Sequence, residues 1–178
     1  MNWDRAKELY FMYWGNEFFM WKDGDLEEYK SYSISKDQEI VWRGELSEKL
    51  YSELEVKHNS SLNGLIGIIN YFGEYDLLKK VLYFISNNYK CADSFLKLRY
   101  AEELFDIMEK IKFHEYVPKE ALKETKELIE IIINYILSNK IEIRAESEKI
   151  LEFNQDMPNE NYIILRTQEL LKRVEAFY

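Results

Sequence analysis

Residues 93–111, DSFLKLRYAEELFDIMEKI, carry apolar side chains at steps of three and four. Phe95, Leu98, Ala101, Phe105, Met108 and Ile111 therefore fall on one stripe of a helix, since 3.6 residues complete a turn. Asp93 or Ser94 caps its start, because either side chain accepts from the free amides of a first turn. The next stretch repeats the pattern: Leu122, Thr125, Ile129, Ile132 and Ile136 make a second stripe, widened by Leu128 and Tyr135. Pro118 stands where proline is tolerated, in the first turn, and Asn139 marks an end.

The same spacing extends in both directions. Downstream, Ile143, Ser147, Ile150 and Leu151 predict a shorter helix that stops before Asn154-Gln155-Asp156-Met157-Pro158. Ile163, Ile164, Thr167, Leu170, Leu171, Val174 and Phe177 predict the last helix. Upstream, Leu62, Leu65, Ile66, Ile69 and Phe72 give one helix, and Leu78, Val81, Leu82 and Ile85 the next, with Gly73 between. Ser35 with Gln38 reads as a capping box opening a helix with Ile40, Val41, Leu46, Leu50 and Leu54; Gly44 bends or weakens it. Only two prolines and six glycines interrupt the 178 residues.

The expectation is an all-α chain of about eight antiparallel helices. Successive hairpins pair 62–72 with 75–86, 93–113 with 118–138, and 142–153 with 159–177. Pairs that cannot bury their apolar faces alone make either an irregular HEAT-like array or a helical bundle. No fixed-period repeat decides between them. The chain is expected to form one domain, 1–178, with aromatic-rich helices over 1–56 and helical hairpins over 62–177.

The opening segment differs in character. Residues 13–32, YWGNEFFMWKDGDLEEYKSY, crowd rings around an acidic turn, and all four tryptophans fall within residues 3–42. Phe11, Trp14, Phe18 and Trp21 keep helical spacing straight through Gly15, which predicts a helix to about Lys22. A turn at Asp23-Gly24 and a short helix over Asp25–Tyr32 follow. A β-hairpin at Asp-Gly is the rival, but the flanking residues do not alternate as half-buried strands do. The plain reading is an N-terminal helix pair packing its rings into the core. The sharper one keeps Trp21, Tyr29 and Tyr32 at the surface beside Asp23, Asp25, Glu27 and Glu28, with Trp14 and Phe18 in the core. Surface rings among carboxylates form a binding site for a basic protein partner.

The formal charge of −9, from 33 acidic and 24 basic residues, disfavours nucleic acid or anionic lipid as a direct partner. It favours a basic protein, although solubility alone explains acidity in many proteins. Apolar runs of three or four residues are far below the roughly 20 needed to span a membrane. The N-terminus reads as no secretory signal, and a single cysteine, Cys91, suits a reducing compartment. The expected location is the cytoplasm.

The sequence carries no recognisable catalytic or metal-binding pattern. His58 and His114 lie on different predicted elements, and Arg43 and Arg99 stand too far ahead of them for the Arg–His spacing of helical nucleases. Asp23, Asp25 and Glu27 alternate as in a calcium loop, but the glycine is misplaced and the closing glutamate is missing. Glycine-rich phosphate loops and nucleophile elbows are absent. Glu102, Glu103, Asp106 and Glu109 share a helix with Arg99 and Lys110 at i,i+4 spacing, the pattern of a solvated face with weak ion pairs. Cys91 is expected to be a buried or half-buried thiol. No cofactor, metal or catalytic residue is assigned.

Tyr13-Trp14-Gly15-Asn16, Lys22-Asp23-Gly24, Glu28-Tyr29-Lys30-Ser31-Tyr32 and Ser35 through Trp42 resemble the opening of a loose group of small bacterial helical proteins. That group is similar to HEAT-like immunity proteins, which are encoded beside secreted toxins and neutralise them. The resemblance covers about the first 45 residues and carries no functional residues across. It implies a non-enzymatic binder; with the charge, the aromatic-acidic block and the missing catalytic motifs, the expectation is an immunity-type inhibitor that occludes a toxin. A basic, nuclease-like target follows from the charge. The alternatives are a peptide-binding regulatory scaffold using a groove along 62–177, and an enzyme whose carboxylate and tyrosine site has no sequence signature.

Overall fold

The computed structural model describes residues 3–56, 60–112, 119–144 and 159–177. Among them the protein is all-α. The described residues form nine helices: α1 (Trp3–Met12), α2 (Glu17–Asp23), α3 (Leu26–Ser31), α4 (Lys36–Ser52), α5 (Ser60–Phe72), α6 (Tyr75–Asn88), α7 (Ser94–Ile111), α8 (Lys119–Ser138) and α9 (Glu160–Glu175). A 3₁₀ turn, Tyr89–Cys91, links α6 to α7. The chain forms two compact units: Met1–Leu54 with Asn59–Leu77, and Glu55–His58 with Leu78–Tyr178. The boundary passes through α6, so the expected pairing of 62–72 with 75–86 is divided between them.

The first unit is built around rings. The Trp42 ring on α4 meets Trp3 edge-on at 6.5 Å and Tyr10 at 5.8 Å, and Tyr10 meets Tyr29 at 6.3 Å. Such tilted and T-shaped pairs suit the ring quadrupole. Leu9, Met20, Leu46, Leu65 and Ile69 are among the aliphatic side chains buried with them. The expected α4 stripe is corrected: Leu46 and Leu50 are buried with Trp42, one and two turns before them, whereas Ile40 and Val41 face solvent.

Nor does a helix run through Gly15 to Lys22. α1 stops at Met12, Trp14 and Gly15 both take positive φ (51° and 70°), and α2 starts after Asn16, whose Oδ1 accepts from Phe18 N–H at 2.9 Å. The break has two physical causes. A Cβ on Gly15 would lie 2.5 Å from the Tyr10 ring, so only glycine lets the chain pass there. The turn also seats the Trp14 ring against α5, where Gly64 and Gly67 leave room for it.

In the second unit α7 is apolar on most of its circumference, with Leu98, Leu104, Phe105, Ile107 and Met108 all buried. α8 packs Ile129, Ile132, Ile133 and Ile136 into the same core, and α9 adds Ile163, Leu170 and Val174. The expected α7–α8 hairpin is present: the segment after α8 returns to the start of α7, where Ser94 N–H donates to Glu142 O at 2.8 Å. Arg166 pairs with Glu102 and Arg173 with Glu109. Both partners advance seven residues, so α9 runs parallel to α7. Thr125 and Thr167, buried on α8 and α9, donate to the carbonyls one turn back, Ala121 and Ile163. Asp93 is the α7 cap, its Oδ1 accepting from Leu96 N–H at 2.9 Å. The expected helix over 143–151 lies mostly outside the described residues, as do Pro118, His58 and His114; Ile141–Arg144 form no helix.

Candidate functional site

The site expected from sequence lies on α2, α3 and the turn between them. Gly24 makes the turn at φ 90°, where its N–H and that of Asp25 close the last carbonyls of α2. α3 then carries Glu27 and Glu28 in its first turn, where the free amides of a helix N-terminus favour negative charge.

The residues divide into two groups. Tyr29 is corrected from surface to core: it is 4% exposed, and its hydroxyl donates to Glu39 Oε1 at 2.8 Å. Burial, then the bond to Glu39, raises its pKa well above the ordinary tyrosine value. Tyr32 is half-buried and donates to Glu28 Oε1 at 2.9 Å. Glu28 also accepts from Arg5 Nε at 3.0 Å and Arg5 Nη2 at 3.4 Å. The Arg5 bond, then the Tyr32 bond, holds the Glu28 carboxyl below its usual range. Asp25 accepts from the Tyr13 hydroxyl at 2.6 Å, and this bond first, with burial second, pushes Tyr13 up to about 12. Asp25, Glu28, Tyr29 and Tyr32 thus fasten α3 to α1, the turn before α2, and α4.

Trp21, Asp23 and Glu27 are on the surface, with Trp21 65% exposed. Phe18, expected in the core, is 58% exposed, and Phe19 is exposed beside it. The Phe18 ring stands 5.9 Å from Trp21 and 5.7 Å from Phe19. On α2 only Met20 is buried. A seven-residue helix therefore turns three large aromatic side chains to solvent, flanked by two carboxylates. Asn16 as an N-cap was legible in sequence, but the burial of Met20 in place of Phe18 was not.

Elsewhere on this unit an open groove of about 640 Å³ is lined by Asp4, Lys7, Glu8, Phe11, Met12 and Lys49, a mixture of charges without convergent polar groups. Among the described residues no group of three or more His, Cys, Asp or Glu side chains is placed to hold a metal ion. Nor is any described helix long and apolar enough to cross a membrane. Cys91 is exposed, contrary to expectation. Glu102, Glu103 and Glu109 behave as an ion-paired face: Arg99 holds Glu103 at 2.5 Å, and α9 supplies the arginines for Glu102 and Glu109. Comparison with protein families, with curated proteins and with solved structures returns no match.

Proposed function

We propose that the protein is a non-enzymatic protein-binding module of the cytoplasm, an immunity-type inhibitor that neutralises a basic, nuclease-like toxin by occlusion. The observation that carries this reading is the α2 ridge: Phe18 and Trp21 with ring centroids 5.9 Å apart in a tilted contact, both more than half exposed. Aromatic side chains bury about 150–250 Å² each in a core or interface, so three facing solvent on one short helix form an unusual apolar patch.

Charge selects the partner. Asp23 and Glu27 are exposed beside the rings, and residues 13–32 hold five carboxylates against two lysines in a chain of charge −9. Rings that anchor and acids that steer match a cleft built for phosphates. Glu28 and Asp25, bonded to Arg5 and Tyr13, fix the segment that follows α2 before any partner docks, which lowers the ordering cost of docking. No reaction is assigned, since no convergent set of polar groups accompanies the ridge.

The test is capture of partners by the tagged protein from its own cell lysate, followed by a salt titration. One stoichiometric basic protein, released as salt rises and toxic when expressed without the inhibitor, supports the reading. A scatter of unrelated weak partners, or one retained equally at all salt concentrations, opposes it.

A further inference from the structure

The second unit carries a cavity of about 200 Å³ beside the start of α7. One wall is the short strap that follows α8. Ser94 N–H donates to Glu142 O at 2.8 Å, Glu142 N–H to Ser94 Oγ at 3.0 Å, and Arg144 N–H to Asp93 Oδ2 at 2.9 Å. The Arg144 guanidinium donates to the Cys91 carbonyl at 3.1 Å. These bonds tie the strap across the first turn of α7, so the cavity is shaped before any ligand arrives.

Its charge is the reverse of the chain's. Lys90, Lys97, Lys140 and Arg144 line it against one carboxylate, Glu142. The ion pairs formed among the described residues use other cations. Lys97 is the unusual member: it is only 7% exposed, although lysine is rarely buried without a carboxylate partner. Its Nζ donates to the Ala92 carbonyl and lies 5.0 Å from the Tyr135 ring centroid. An ammonium has three N–H groups, and that bond occupies one. Asp93, the nearest buried acid, accepts from the Leu96 and Arg144 amides through its two oxygens. Burial pulls the Lys97 pKa down while the Asp93 charge opposes this; a bound anion adds to the opposition.

We propose that this cavity binds a small oxyanion, a single phosphate group, through Lys97 at its base and Lys90, Lys140 and Arg144 around it. Ligand cavities for drug-sized molecules run to about 300–1,000 Å³, so this one suits a phosphate with a few further atoms and excludes a nucleotide. The site is separate from the α2 ridge and does not depend on it.

The full-length protein is titrated calorimetrically with inorganic phosphate and with O-phosphoserine, against chloride at matched ionic strength. Saturable one-to-one binding of either probe is expected. Tighter O-phosphoserine binding places the phosphate on a larger molecule, tighter inorganic phosphate marks a free ion, and both uphold the site. Lys97→Met keeps an apolar stem and weakens binding by about tenfold or more, as loss of one charge-assisted bond requires. If that variant does not fold, judged by circular dichroism, the exposed pair Lys90→Ser with Lys140→Ser serves instead, with a similar loss of about tenfold. Absence of saturable binding by either probe, or affinity unchanged in these variants, overturns the proposal.

Discussion

Replacing Gly15 by alanine sets a methyl group 2.5 Å from Tyr10 Cζ and 2.7 Å from its Oη. Two costs add. An L-residue at φ 70° carries a left-handed penalty of about 1–2 kcal/mol. The clash is not relieved by swinging the ring, because Tyr10 is fully buried and flanked by Trp42 and Tyr29. Overpacking of this kind costs about 1–3 kcal/mol, for a total of about 2–5 kcal/mol. Gly24→Ala isolates the first cost: its φ is 90°, but nothing lies within 4 Å of the added methyl. It should therefore lose only about 1–2 kcal/mol. Urea unfolding followed by tryptophan emission is the assay, since Trp3, Trp14, Trp21 and Trp42 all lie in the first unit. At an unchanged slope, the shift in midpoint gives the energy directly. Gly15→Ala costing no more than Gly24→Ala would refute the packing of Tyr10 against the turn.

Neighbouring isoleucines of α8 should behave oppositely. Ile132→Ala, fully buried, loses about 2–5 kcal/mol, whereas Ile131→Ala, exposed, changes stability by about 0.5 kcal/mol or less; equal losses by urea unfolding would contradict the helix register. Tyr10 and Tyr29 are both buried, but only Tyr29 bonds its hydroxyl, while the Tyr10 hydroxyl has no hydrogen-bond partner. Tyr10→Phe should be neutral or stabilising and Tyr29→Phe should cost about 0.5–1.5 kcal/mol, and the reverse order would count against these assignments. Tyr10 and Tyr100, both buried, are pushed up to about 12 by burial, and Tyr13 to about 12 by Asp25. A raised tyrosine pKa stabilises the fold fully below the unfolded value of about 10, and that stability is lost as pH rises through the folded value. Stability should thus hold to about pH 10 and fall towards pH 12, with these rings ionising late in an ultraviolet titration. Uniform ionisation near the ordinary value would oppose it.

The helices were legible wherever one stripe faced one core. The α8 stripe was read correctly because Ile129, Ile132 and Ile136 carry their burial in their spacing. Asp93 and Ser35 were legible as caps because capping is local: each accepts from an amide three residues on. The first fifty residues resisted for a physical reason. Rings and aliphatics run almost unbroken through residues 9–14 and 18–21, so several registers look amphipathic there. The choice among them rests on the Gly15–Tyr10 contact and on the fit of Trp14 against Gly64 and Gly67, neither of which spacing reveals. Of the expected site, Trp21 was placed correctly at the surface. Tyr29 was not, because its partner Glu39 stands ten residues away on another helix. The phosphate cavity had no sequence signal: Lys90, Lys97, Lys140 and Arg144 are scattered over 55 positions and meet only when α8 returns to α7.

The most direct test of the α2 ridge compares partner affinity in three forms of the protein: unaltered, Trp21→Ala and Leu165→Ala. Leu165 is exposed to a similar degree but lies on α9, in the other unit. If α2 docks the partner, Trp21→Ala weakens binding by at least about 2 kcal/mol, roughly thirtyfold, and Leu165→Ala leaves it unchanged. Full affinity in Trp21→Ala together with a loss in Leu165→Ala would move the binding surface to the helical hairpins and contradict the docking proposal.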